Sequence, residues 1–313
     1  MNKPKVYIDG KEGTTGLQIY ERLGAREDIE LLLIDEDKRK DTQERKKFLN
    51  AADLVFLCLP DGAAIEAVSL IENPETRVID ASTAHRTAEG WTYGFAELLP
   101  GQRQRIKFAK RVANPGCHAT GFLSAAAPLV HLGILPTDYP LSCYSLTGYS
   151  GGGKKLIAEY EAPDRSVLLE SPAPYALGLK HKHLPEMQKV AGLDHPPAFL
   201  PVLGDTYKGM ATSIMLQNRL LKGNPSAQDI CELLTNYYQD QKLVKMAPFG
   251  GTAPRLYTNA LAGKDYLEIT VTGHEEQTLI TAQFDNLGKG ASGAAVQNMN
   301  IMLGFEETQG LNL

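Results

Sequence analysis

The sequence predicts a doubly wound α/β nucleotide-binding domain followed by an α+β catalytic domain. Three observations carry that expectation. Strand and helix signals alternate through the first hundred or so residues, as a parallel sheet with crossover helices requires. A glycine-spaced turn, Gly10–Gly16, lies between the first strand and the first helix. Beyond Asn114 the rhythm changes to strands that follow one another without long crossovers, which implies a mixed or antiparallel sheet.

Taken in order, Lys5–Asp9 reads as a strand and Thr15–Arg26 as a helix carrying Leu17, Tyr20 and Leu23. Ile29–Ile34 and Asp53–Leu59 are continuous apolar runs, the pattern of strands covered on both faces. The second run stops at Pro60. Gly62–Glu72 reads as helix and Arg77–Asp80 as strand. In the second half, Ala119–Leu132 is an apolar helix ending at Gly133, and Leu141–Leu146 a strand. Met210–Gln217, Tyr266–Thr272 and Leu279–Phe284 are strands, several with alternating faces. Between them Ser226–Gln239 is an amphipathic helix, with Ser226 as N-cap and Ile230, Leu233, Leu234 and Tyr237 as its stripe. Ser292–Leu303 is the final helix.

Composition narrows the function classes. The 313 residues are 43% apolar and 22% charged, with net charge −5, so nothing electrostatic favours nucleic acid as a partner. Met1–Pro4 leads directly into a strand-like run, with no leader peptide expected. No apolar run reaches the ~18 residues of a membrane span. The four cysteines (Cys58, Cys117, Cys143, Cys231) are far apart and form no C-x-x-C pair, which argues against a disulfide framework or a zinc site and fits a reduced cytoplasmic setting better.

Gly10-Lys11-Glu12-Gly13-Thr14-Thr15-Gly16 has the spacing of a dinucleotide-binding turn. The glycines let the backbone approach a pyrophosphate, the helix N-terminus supplies free N–H groups, and Thr14 and Thr15 add hydroxyls. After the second strand, Asp35-Glu36-Asp37 suits a ribose hydroxyl whereas Lys38-Arg39-Lys40 suits a 2′-phosphate, so the residues alone leave NAD and NADP open.

Asn114-Pro115-Gly116-Cys117 makes a tight turn into the Ala119 helix. A thiol at a helix start is stabilised as thiolate, and the same N–H groups can hold an oxyanion. With a nicotinamide cofactor, such a thiolate displaces phosphate from an acyl phosphate, and the resulting thioester is reduced to an aldehyde. The other three cysteines read as core or helix residues. A base is expected among the seven histidines. If His181-Lys182-His183 is extended, its two imidazoles share a side and Lys180 and Lys182 take the other. His85 is a second candidate, and His118 is expected to diverge from its neighbour Cys117. No carboxylate or cysteine accompanies the histidines at ligand spacing, so no metal is expected. Candidate anion-binding groups are Arg86, after a strand end, and Ser150, Gly151 and Lys154 in the Gly-rich stretch Ser145–Lys155, which suits a backbone cradle or a mobile loop equally. Arg255, in the turn-like Gly250–Arg255, is a further one.

In this order, the Gly10–Gly16 loop, Asp80–Arg86, Asn114–Cys117, Thr147–Gly151, His181–Glu186 and Asn286-Leu-Gly-Lys-Gly-Ala-Ser-Gly293 span nearly the whole chain. Together they resemble the N-acetyl-gamma-glutamyl-phosphate reductases, in their shorter subclass. His118-Ala119 departs from the Tyr-Pro that commonly follows the cysteine. The resemblance implies NADPH-dependent reduction of N-acetyl-gamma-glutamyl phosphate to the semialdehyde, in arginine biosynthesis. It implies Cys117 as nucleophile and an imidazole of the His181–His183 pair, His183 by preference, as acid/base. Cofactor contacts are expected at Gly10, Gly13, Thr14, Thr15, Gly16, Arg39, Pro60 and Ser82, and at Gly288, Gly290 and Ala291 near the nicotinamide. Substrate contacts are expected at Asn114, Arg86, Ser150, Gly151 and Lys154. The implied division is 1–116 for NADP, 117–285 for catalysis and dimerisation, and 286–313 returning to the first domain. A homodimer or homotetramer is expected. The competing readings are an aspartyl or aminoadipyl semialdehyde dehydrogenase, a non-catalytic NADP-binding sensor, and a cysteine hydrolase.

Overall fold

The computed structural model describes residues 3–250 and 254–313. Met1 and Asn2 of the expected leaderless start, and 251–253 of the Gly250–Arg255 turn, lie outside the described residues. Two units make up the chain. The first comprises Met1–Ala96, Gly101–Pro115 and Ala291–Leu311, and the second Glu97–Pro100, Gly116–Gly290 and Asn312–Leu313.

In the first unit the elements are β1 (Lys5–Asp9), α1 (Thr14–Gly24), β2 (Glu30–Leu32), α2 (Thr42–Ala51), β3 (Leu54–Leu57), α3 (Asp61–Ser69), β4 (Arg77–Asp80), β5 (Thr92–Tyr93), α4 (Gln102–Phe108) and β6 (Arg111–Ala113). The six strands are parallel, in the order β2-β1-β3-β4-β6-β5. β3 is buried along its whole length, which is why it reads as an unbroken apolar run, whereas the cover expected on both faces of Ile29–Ile34 is absent: β2 is the edge strand and its residues are exposed or half-buried. Val6 and Ile8 of β1 join a core with Ile19 and Leu23 of α1, while Tyr7 points the other way into a core with Leu49, Val55 and Leu57. The chain runs from β1 out to β2 and returns to β3 on the opposite side. The carboxyl ends of β1 and β3 therefore flank a topological switch point, where open α/β sheets bind ligands.

The second unit contains α5 (Cys117–His131), β7 (Ser142–Gly148), α6 (Gly153–Tyr160), β8 (Ala173–Pro174), α7 (Leu184–Ala191), β9 (Ala198–Gly204), β10 (Met210–Gln217), α8 (Ala227–Tyr238), β11 (Val244–Met246), β12 (Leu267–Gly273) and β13 (Gln277–Phe284). Its seven-stranded sheet has the order β11-β12-β13-β10-β7-β9-β8. Here β7–β9 and β11–β12 pair in parallel and the other neighbours antiparallel, the mixed sheet expected of an α+β domain. Helix α5 packs on β10 and β13, and α7 packs on α5. The fit of α5 on the sheet is close: a Cβ at Gly121 would lie 2.5 Å from the Thr212 side chain. Ser226 caps α8 in a reciprocal box with Asp229, the cap expected there. The last helix, α9 (Gly293–Leu303), belongs to the first unit and adds Val296 and Met299 to the core on its α1 side. A single π-type turn, Gly288–Ser292, leads into it.

Candidate active site

In the first unit the glycine turn opens a cavity of about 430 Å³ at the carboxyl ends of the first strands, lined by Gly10, Glu12, Ile34, Arg39, Lys40 and Leu59 among others. Gly10 has φ +86°, and a Cβ there would lie 2.4 Å from the Cys58 carbonyl oxygen. A Cβ at Gly16 would meet the Gly10 carbonyl oxygen at 2.4 Å. Only glycine fits either position. Gly13 donates its N–H to Gly10 O at 3.0 Å and serves as N-cap of α1. At that helix start Thr14 Oγ1 is buried without a hydrogen-bond partner, a hydroxyl available to a phosphate. Thr15 lies in the same first turn. Arg39 is held 3.5 Å from both Glu12 of the glycine turn and Glu36 after β2, so it sits between two carboxylates at the cavity rim. Glycine turn, orphaned hydroxyl and rim cation together fit a dinucleotide.

Other predicted residues of this unit have structural engagements. Pro60 is the N-cap of α3. Ser82 donates its hydroxyl to Asp80 at 2.7 Å, and His85 Nδ1 lies 2.6 Å from the same carboxylate while its ring stacks on Trp91. Arg86 donates to the carbonyls of Asn114 and Ala81 at 3.0 and 3.1 Å, bracing two strand ends. Asn114 is buried; its amide donates to Ala291 O at 3.0 Å and its carbonyl accepts from Asn298 at 3.2 Å.

In the second unit Cys117 is the first residue of the 15-residue α5. The preceding Gly116 N–H is held by the buried Glu186 carboxylate of α7 at 2.8 Å. Burial pushes the Cys58, Cys143 and Cys231 thiols up. Those three are poor nucleophiles.

Three imidazoles gather beside the start of α5. The ring centroids are 5.5 Å apart for His118–His181, 5.7 Å for His118–His183 and 4.7 Å for His181–His183. The expected extended conformation of His181–His183 is not adopted. His183 has φ −87° and ψ −10° as N-cap of α7, and its N–H donates to His181 Nδ1 at 3.1 Å. A turn, not a strand, brings the rings together, because Leu184-Pro185 opens a helix there. His118 belongs to the cluster as well. It is buried, with Nδ1 2.7 Å from Ser145 Oγ and Nε2 2.8 Å from Tyr175 Oη. Burial, and then the charges of His181 and Lys182, bring its pKa down to about 3. The Tyr175 hydroxyl is pushed up by burial and then by the negative charge of Cys117. His118, Tyr175 and Glu186 escape sequence reasoning because their partners are distant in the chain. The one local signal is an acidic residue in the first turn of α7.

Ser150–Lys155 is not a loop. Tyr149–Gly152 forms a 3₁₀ turn and Gly153, at φ +78°, starts α6. Ser150 is buried and accepts from Asn286 at 2.9 Å; Gly151 and Lys154 are exposed. Gly288 and Gly290 belong to the second unit and Ala291 to the first. A Cβ at Gly288 would lie 2.3 Å from Lys264 O, and one at Gly290 would lie 3.1 Å from Cys117 Cβ. Among the described residues no His, Cys, Asp and Glu cluster suits a metal. No described helix is long and apolar enough to cross a membrane.

One unit with a dinucleotide-type cavity and one with a cysteine at a helix start next to an imidazole cluster are the features of a nucleotide-dependent dehydrogenase. Comparison with known proteins agrees. Residues 5–107 match the model for the semialdehyde dehydrogenase NAD binding domain, and 117–286 that for the semialdehyde dehydrogenase dimerisation domain. The N-acetyl-gamma-glutamyl-phosphate reductase 2 of Nostoc sp. is 48% identical over 99% of this chain and 100% of its own length. The reductase of the same name from Brucella ovis is 49% identical over 96% of this chain and 99% of its own. Aspartate semialdehyde dehydrogenase II from Vibrio cholerae has the same fold, with TM-score 0.73 at 17% identity over 97% of this chain and 99% of its own. The chain belongs to the semialdehyde dehydrogenase family, and within it to the N-acetyl-gamma-glutamyl-phosphate reductases.

Proposed function

We propose that the protein reduces N-acetyl-gamma-glutamyl phosphate with NADPH to N-acetyl-L-glutamate 5-semialdehyde and phosphate, a step of arginine biosynthesis. The observation that carries the chemistry is Cys117 at the N-terminus of α5 beside the imidazole cluster. The helix terminus favours the thiolate. Its sulfur attacks the acyl carbon, the phosphate leaves, and the acyl group remains as a thioester on Cys117. Bound NADPH supplies the hydride that reduces the thioester, after which the thiolate leaves and the aldehyde is released. His183, with His181 beside it, takes the thiol proton and hydrogen-bonds the carbonyl oxygen as charge develops on it. The glycine turn and Thr14 hold the pyrophosphate, and Arg39 the 2′-phosphate. Arg86, Asn114, Ser150, Gly151 and Lys154 remain the proposed substrate residues. Arg86, Asn114 and Ser150 are each engaged within their own unit.

Free cysteines at all four positions support a reducing, cytoplasmic setting. A homo-oligomer is supported by one face of the second sheet, where Tyr144, Leu200, Met215 and Leu279 are exposed on neighbouring strands. Light scattering coupled to size exclusion reads that state. The activity is tested in the phosphate-dependent direction with N-acetylglutamate, glutamate, aspartate and aminoadipate semialdehydes, each with NADP and NAD. Preference for the acetylated substrate and NADP is expected. Preference for an unacetylated one overturns the assignment.

A further inference from the structure

Residues 281–290 are ten consecutive buried positions, and among them stands a lysine. The Lys289 side chain is 2% exposed, and its Nζ donates to both carboxylate oxygens of Glu97, itself 0% exposed, at 2.8 and 2.9 Å. Both residues belong to the second unit, Glu97 in the short Glu97–Pro100 stretch. That stretch is fixed further by Tyr237, whose hydroxyl donates to Leu98 O at 2.7 Å. The neighbouring Tyr238 phenol, raised mainly by burial and also by Tyr237 and Glu97, remains neutral.

A buried ion pair of this kind seldom adds stability, because desolvating both ions costs as much as their attraction returns. Its location suggests another use. Lys289 lies between Gly288, where a Cβ would lie 2.3 Å from Lys264 O, and Gly290, where one would press on Cys117 Cβ at 3.1 Å. On the other side Asp285 accepts from the N–H groups of Leu287, Gly288 and Gly263 at 2.8, 3.2 and 2.6 Å. The turn is therefore pinned at its start by Asp285 and in its middle by Lys289, and its far side is the wall against the cysteine.

We propose that the Glu97–Lys289 ion pair is a positioning device for the reacting thiol, holding Gly290 against Cys117 so that the sulfur keeps one rotamer. The inference rests on the reading of Cys117 as nucleophile, and two readouts separate their failures. The first needs no substrate: alkylation of Cys117 by iodoacetamide, followed by intact mass across a pH series. The second is steady-state reduction.

The informative variant is the double Glu97→Leu/Lys289→Met, which removes the pair without leaving a buried charge unpaired. Glu97→Gln, which keeps the shape and one acceptor, is the milder companion. In the double variant the Cys117 alkylation rate is expected to change about fivefold or more. Its kcat is expected to fall about tenfold or more, with KM for NADPH within about twofold. Glu97→Gln should move both in the same direction by less. Folded variants with wild-type alkylation rate and pH profile overturn the positioning role, whatever the substrate. Wild-type protein that reduces no acyl phosphate, yet shows the alkylation change in the variants, overturns the functional assignment and leaves the positioning role standing.

Discussion

Gly10→Ala tests the cofactor turn at its tightest point. Two costs follow from the structure. The backbone there has φ +86°, where an L side chain costs about 1–2 kcal/mol. The new Cβ would lie 2.4 Å from the Cys58 carbonyl oxygen. Restoring ordinary contact requires the ends of β1 and β3 to part by about 1 Å, and overpacking of that kind costs about 1–3 kcal/mol. Together these remove about 2–5 kcal/mol, equivalent to a fall of about 3–8 °C in Tm for a chain of this size. The displaced backbone is the floor of the proposed dinucleotide cavity, so KM for NADPH should rise about tenfold to a hundredfold. Thermal melts with and without NADPH, and initial rates against NADPH, measure the two effects. Gly24→Ala is the control. That glycine ends α1 with no positive φ, and a Cβ added there would meet nothing within 4 Å, so the substitution should be neutral or stabilising. A Gly10→Ala protein with wild-type Tm and KM for NADPH would refute the argument.

Cys117→Ser should lower turnover by about a thousandfold or more, and intact mass should lose the acyl adduct that wild-type protein forms with substrate. His118 makes stability depend on pH in a defined direction. Its pKa falls from 6.5 in the unfolded chain to about 3 in the fold, so the unfolded state takes up the proton first as pH drops. The contribution is complete above the unfolded value, is lost progressively below it, and has fallen by about 2 kcal/mol near pH 5. Urea unfolding near pH 7.5 and pH 5 should therefore show a smaller loss for His118→Asn than for wild type, and an equal loss contradicts the assignment. Ser226→Ala removes the α8 capping box and should cost about 1 kcal/mol in urea unfolding with kcat unchanged; a melting curve identical to wild type would show the cap to be idle.

The legible parts of the fold are those whose signal is local. β3 reads correctly because burial on both faces makes Leu54–Leu57 an unbroken apolar run, and β10 because its alternate residues are buried. Helix α2 is invisible in the sequence for the opposite reason: Thr42-Gln-Glu-Arg-Lys-Lys-Phe-Leu-Asn-Ala carries little apolar surface, and its start is defined by Asp41, which accepts from Gln43 and Glu44 at 2.8 and 3.0 Å. β5, β6, β8 and β11 span two or three residues each and exist only through their neighbours. The Gly151–Gly153 run reads as a loop because glycine disfavours helix, whereas here one left-handed glycine turns the chain into α6.

The thiol turn is legible for the same local reason, and the imidazole cluster is not. Period-two reasoning puts His181 and His183 on one side of a strand; Pro185, a residue suited to the first turn of a helix, is the signal that a turn precedes it. What the cluster selects follows from its electrostatics. Three imidazoles whose centroids lie within 6 Å of one another cannot all carry charge without strong repulsion. Burial removes His118 from that competition, since its depressed pKa keeps it neutral and its two nitrogens are engaged by Ser145 and Tyr175. His181 is constrained differently. Its Nδ1 accepts a backbone N–H, so a neutral His181 carries its proton on Nε2, and protonating Nδ1 would break that bond. His183 makes no such demand through its backbone bond, in which it is the donor. In the proposed reaction the thiol proton therefore passes to His183, beside the neutral His118 and the fixed tautomer of His181.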